Sequence, residues 1–144
     1  MILELDYWQS RLLIIFASIS VFMKQFWTIL LLIISNIFMT LAWYGHLKFG
    51  EMKWFSKLGL VSIIGISWGV AFFEYCFQVP ANRIGFQQNG GPFSLVELKV
   101  LQEVITLLIF TIFVTLVLKQ QALRWNHLAG FACLVMAVYF VFKK

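Results

Sequence analysis

The chain has 144 residues, 62% of them hydrophobic and 12% charged, with a formal net charge of +5 and a mean hydropathy of +0.90. Soluble domains carry a charged share of roughly 25%, so this composition excludes a water-soluble core and places the chain in a lipid bilayer. The basic residues flank apolar runs and form no aromatic-interleaved groove, which excludes nucleic acid as a partner and assigns them to headgroup anchoring.

In chain order, residues 1–25 form an N-terminal extension. Leu12 to Met23 is apolar over about 12 residues, too few for the roughly 20 that cross the hydrocarbon. Glu4 and Asp6 oppose the basic start of a signal peptide, so no cleaved leader is expected. The piece either lies along the membrane surface as an extra helix or precedes a natural start at Met23.

The four-span membrane domain is expected over 26–144. Its first span, 26–47, has no formal charge, with His46 at its end. Residues three, four and seven apart share a helical face, which groups Asn36, Thr40, Trp43 and Tyr44. The second span, 58–79, is expected to close at Pro80, which cannot continue the helical hydrogen-bond ladder. It carries the series Ser67, Ala71, Glu74 and Gln78, and a GxxxG pair at Gly65 and Gly69 where helices can approach closely. A turn-rich loop, ANRIGFQQNGGPF, then separates two hairpins.

Ser94-Leu95-Val96-Glu97 has the spacing of a capping box and opens the third span, 95–118. That span groups Lys99, Gln102, Glu103 and Thr106. Between Glu103 and Lys119 about 15 uncharged residues cover only roughly 22 Å, so Glu103 falls at or inside the hydrophobic boundary, four residues from Lys99 as a pairing partner. The fourth span, 126–142, is almost without polar groups. Its small residues Ala129, Gly130, Cys133 and Ala137 read as a packing or dimerisation face. Cys76 and Cys133 lack any metal or redox spacing and are expected to serve as packing residues.

The fold class is therefore all-α: a polytopic membrane protein, a four-helix transmembrane bundle with an extra N-terminal hydrophobic segment. No Ser/His/Asp series, metal-ligand cluster or phosphate-binding glycine loop appears, so neither an enzyme nor a cofactor or metal site is expected. On one side of the bilayer the tally is Lys48, Lys53, Lys57, Lys119 and Arg124, and on the other Lys24, Arg83, Lys143 and Lys144, with Arg11 and Lys99 assigned to neither. The positive-inside rule then sets almost no orientation, which allows insertion both ways and antiparallel pairing.

SNIFMTLAWYGHLKF, SWGVAFFEYCFQVPANRIG, FSLVELKVLQEVITL and LRWNHLAGFACLVMAVYFVF together resemble a small, uncharacterised bacterial family placed in the drug/metabolite transporter superfamily. The resemblance runs from Met23 to the C-terminal end. RWNHLAGFACLVMAV also resembles the last helix of the four-span small multidrug resistance proteins, antiparallel dimers with an essential glutamate in the first span. Here that span holds Asn36 and no carboxylate.

What the resemblance implies is a homodimeric, multi-pass transporter of the inner (plasma) membrane for a metabolite or cationic compound. From stripe geometry, Glu74 is the first candidate for the proton- or cation-sensitive group, against an interfacial acid paired with Arg83. Glu103, Lys99, Gln102, Asn36 and Gln78 are the further polar candidates, against a mutually neutralising Lys99–Glu103 pair, with Trp43, Tyr44 and Trp68 as aromatic walls for a cation, against interface or packing duty. The competing reading is a non-transporting membrane adaptor whose polar stripes hold helices together.

Overall fold

The computed structural model describes residues 2–119 and 124–143, with every side chain among them except those of 2–7, 10 and 128. Among the described residues four α-helices follow in order: α1 Ile2–Phe49, α2 Leu60–Gly85, α3 Leu95–Phe113 and α4 Trp125–Phe142. Each contains a stretch long and apolar enough to cross a membrane, the all-α polytopic architecture that the composition demands. A π-helical turn, Val114–Leu118, prolongs α3.

α1 is 48 residues long, about 72 Å at the helical rise. Residues 2–25 belong to the same continuous helix as the first span. The reason is local: no glycine or proline stands between residues 2 and 44, and the Ser18 hydroxyl bonds back to the Ile14 carbonyl at 2.9 Å instead of capping a new helix. From Arg11 to Met23 every side chain is exposed.

Beyond Lys24 one face of α1 is buried, and it is a polar one: Thr28, Ser35, Asn36 and Thr40, with Leu32 among them. Ile29, Ile33 and Ile37 point outward. A water-soluble helix does the opposite. In lipid the unpaired polar group is the costly one, so hydroxyls and amides turn inward to find partners while branched hydrocarbon faces the acyl chains.

α2 runs antiparallel to α1. Phe38 stacks on Phe77 and Phe73, with ring centroids 5.6 and 5.8 Å apart. The helix does not close at Pro80 but continues through it to Gly85. An internal proline loses one hydrogen bond and crowds the carbonyl one turn back, yet membrane helices tolerate it where neighbours hold the segment. Here Ala81 and Gly85, both beyond the proline, are buried, and the Phe86 N–H closes the helix on the Asn82 carbonyl at 3.0 Å. Leu32 of α1, Ala81 of α2 and Ile105 of α3 form the apolar core where the three helices meet.

The connection from α2 to α3 is built on backbone contact. Phe93 N–H donates to the Gly85 carbonyl at 2.9 Å, Gln87 N–H to the Phe93 carbonyl at 2.8 Å, and Gly91 N–H to the Phe86 carbonyl at 2.9 Å. Gly90 takes the left-handed conformation at φ +74°, and its carbonyl accepts from the Lys24 ammonium at 2.7 Å. α3 then begins with the expected capping box: Glu97 N–H donates to the Ser94 hydroxyl and Ser94 N–H to the Glu97 carboxylate.

α4 packs chiefly against α3, and none of its described side chains is buried. Cys76 and Cys133 are both exposed, so neither performs the packing expected of it within one chain. A Cβ at Gly65, Gly69 or Gly130 would meet nothing within 4 Å.

The tightest point of the fold yields a graded prediction. A Cβ at Gly91 would lie 2.3 Å from the Gly85 carbonyl group, whereas one at Gly85 would meet the side-chain tips of Thr28 and Leu98 at 2.7 and 2.8 Å. Side-chain tips can move and backbone cannot, so Gly85→Ala should cost about 1–3 kcal/mol and Gly91→Ala more, measured as unfolding in detergent. Equal stability of both variants with the parent would mean that the loop is not seated on α2.

Candidate functional site

Two interhelical hydrogen bonds orient everything around the candidate site. The Ser35 hydroxyl of α1 donates to Gln78 Oε1 of α2 at 2.8 Å, in a buried setting. On the other flank of α1, Asn36 Nδ2 donates to the Leu32 carbonyl at 2.8 Å, leaving Asn36 Oδ1 to accept from the Thr106 hydroxyl of α3. That hydroxyl also lies 2.8 Å from the Gln102 carbonyl, so its single proton serves one acceptor at a time. Between helices in lipid such bonds contribute about 0.6–2 kcal/mol each, where apolar burial contributes no net attraction.

With Asn36 and Thr106 fixed, the parallel helices α1 and α3 bound an elongated cavity of about 440 Å³ beside that tie, within the range of roughly 300–1,000 Å³ typical of small-molecule sites. Thr40, Trp43 and Tyr44 line it from α1, and Lys99, Gln102, Glu103 and Thr106 from α3. Lys99 and Glu103 pair at 2.5 Å as their i,i+4 spacing predicts, and both side chains remain more than half exposed. The site thus offers one cation, one anion, an amide, three hydroxyls and the rings of Trp43 and Tyr44, with Phe110 and Leu134 among its apolar walls.

Of the candidate residues named from the sequence, Lys99, Gln102, Glu103, Trp43 and Tyr44 come together in this cavity. Asn36 does not line it: it is fully buried behind Thr106 and works as an interhelical tie. Gln78 is the tie on the α2 side. Glu74 is one turn from Gln78 on the same face, partly buried and outside the cavity lining. Among the described residues its carboxylate makes no hydrogen bond or ion pair. The suggested partner Arg83 belongs to the last turn of α2 rather than to a loop, and nine helical steps separate the two by roughly 13 Å. Trp68 points away from the bundle at 75% exposure.

The sequence reading lacked the wall residues Phe110 and Leu134 and the role of Ser35. Phe110 was within reach, because it continues the Lys99, Glu103, Thr106 face by one more turn. Leu134 depends on how α4 leans on α3, which no local pattern encodes.

Residues 28–142 match the family described as "Putative member of DMT superfamily (DUF486)". The chain belongs to this family. The match begins at Thr28, the first buried residue among the described side chains of α1, and takes in the bundle while leaving out the N-terminal half of α1. Membership in the drug/metabolite transporter superfamily makes this a multi-pass membrane protein of transporter type, in a superfamily of transporters rather than enzymes. Neither the curated proteins nor the solved structures contain a significant match to the chain.

The Asn36–Thr106 tie is measurable. In a double-mutant cycle of Asn36→Leu with Thr106→Val, unfolding in detergent should return a coupling of about 1 kcal/mol, with each single variant less stable than the pair of changes would suggest. A coupling of zero would mean that α3 is held against α1 by packing alone.

Proposed function

We propose that this drug/metabolite transporter family member moves a small organic metabolite or cationic compound across the inner (plasma) membrane by alternating access, with the α1–α3 cavity as its substrate site. The observation that supports this reading is the cavity's lining: a carboxylate, an ammonium, hydrogen-bonding groups and two aromatic rings, all drawn from the polar stripes of α1 and α3. A cationic compound would meet two stations along the cavity: Glu103, in competition with Lys99, and farther along the faces of Trp43 and Tyr44, where a cation is attracted by the ring quadrupole. Coupling to protons would follow if Glu103 exchanged its partner for a proton as the cavity changed sides.

The working unit in this proposal is a homodimer, for which an antiparallel arrangement agrees with the even Lys/Arg distribution. Its interface would use surfaces left open in one chain, at Gly65 and Gly69 of α2 and Gly130 of α4, where a second helix can approach closely. One observation favours the competing adaptor reading: Ser35 with Gln78, Asn36 with Thr106 and Lys99 with Glu103 are all internally paired, as ties between and along helices would be.

Reconstituted liposomes with a pH gradient separate the two. An aromatic quaternary ammonium and a panel of neutral and zwitterionic metabolites should include at least one compound that drives proton movement. Glu103→Gln should then reduce that flux at least tenfold, Glu74→Gln less, and Glu97→Gln hardly at all, since glutamine also serves a capping box. The stripes alone rank Glu74 first; the cavity moves Glu103 ahead of it. No compound-driven flux from folded parent protein would favour the adaptor.

A further inference from the structure

The α1–α3 cavity has neighbours on both sides along α3. Toward the α2–α3 loop lies a cavity of about 380 Å³ that includes Asn82, Arg83 and Asn89 and shares Lys99 and Gln102 with the candidate site. In the opposite direction, between α3 and α4, lies one of about 360 Å³ that includes Thr111, Thr115, Asn126 and His127. It shares Leu107, Phe110 and Leu134 with the candidate site. The residues that α3 and its π-helical turn contribute run in order from Leu95 through Thr115. Twenty helical steps cover about 30 Å, the thickness of the hydrocarbon.

Resting on the transporter reading, the geometry points to a single route along α3, made of these three compartments and barred by one apolar constriction at Leu107, Phe110 and Leu134. The two junctions differ in chemistry. Lys99 and Gln102 make the loop-side junction polar, so water and solute pass it without losing hydrogen bonds. The other junction presents only hydrocarbon and an aromatic ring, with Phe110 braced by Tyr44 at a centroid distance of 4.7 Å. A polar solute crossing there must shed its water with no replacement partner. The constriction therefore holds the compartments apart at rest, and it selects against hydrated inorganic ions in favour of organic solutes with apolar surface.

On the far side, the π-helical turn at Val114–Leu118 widens α3 beside Thr115, a departure from α-geometry that is frequent at functional sites. Thr111 satisfies its hydroxyl on the Leu107 carbonyl at 2.7 Å, and His127 Nδ1 accepts from the Arg124 N–H at 3.2 Å, which directs Nε2 to be the ring nitrogen left for a solute.

The test is accessibility, which needs no transport. In a background with Cys76→Ala and Cys133→Ala, single cysteines Gln102→Cys and Thr115→Cys are reconstituted and treated from outside with a membrane-impermeant thiosulfonate. Because each compartment opens to its own side, the rapidly modified fractions of the two variants should add to about one, whatever the mixture of insertion directions. Adding Phe110→Ala should take both to completion. Should that variant fail to fold, Leu134→Ala opens the same constriction from α4. Complete labelling of both cysteines in the parent, unchanged fractions after the constriction is opened, or a Thr115→Cys reached only after detergent is added would each overturn the barred route. Complementary fractions without any compound-driven flux would keep the route and remove the transporter reading, so the two fail separately.

Discussion

Lipid supplies no hydrogen bonds, and that constraint arranges this bundle. α1 carries Ser35 and Asn36 side by side, and adjacent helical residues point about 100° apart, so one amino acid reaches toward α2 and the next toward α3. Ser35 finds Gln78 and Asn36 finds Thr106. Apolar side chains could pack in several registers, since acyl chains solvate them equally well. The two polar ties admit one register each, because a slip of either helix would strand an amide or hydroxyl in hydrocarbon. The cavity is a consequence: with Thr106 held against Asn36 on parallel helices, the polar turns that precede Thr106 on α3 and those that follow Asn36 on α1 line one elongated cavity, on either side of the tie along the helix axes.

Close approach at the α2–α3 loop makes the arrangement rigid there. Gly85 and Gly91 let backbone rest on backbone, Thr28 and Leu98 close over Gly85, and Lys24 binds the Gly90 carbonyl. α1, α2 and the start of α3 are thereby one unit. α4 is different: it contributes Leu134 to two cavities yet buries none of its described side chains. An element with so little burial moves at the lowest cost, and it carries one of the three residues of the constriction.

Much of this was legible in the sequence because lipid imposes simple rules. Four apolar runs, inward polar stripes, the Ser94–Glu97 cap and the Lys99–Glu103 pair depend on helical periodicity and local spacing, and all appear in the structure. Pro80 reads differently because tertiary contact outweighs a single breaker, and residues 2–25 join α1 because no glycine or proline interrupts the helix there. The stripe containing Glu74 was visible, but a stripe specifies only a face. Which faces meet is decided by pairing across helices, and Gln78, on Glu74's own stripe, is taken by Ser35, while the cavity forms on the other flank of α1.

The inward polar face of α1 is the claim on which the rest stands, and a spin-label scan over residues 28–40 in bilayers measures it directly. Collision with dissolved oxygen, which concentrates in acyl chains, should peak at positions 29, 33 and 37 and fall at 28, 32, 35 and 36, tracing the helical period. Oxygen maxima at 35 and 36 would place Ser35 and Asn36 against lipid and contradict both ties, the cavity between α1 and α3, and the route built on it.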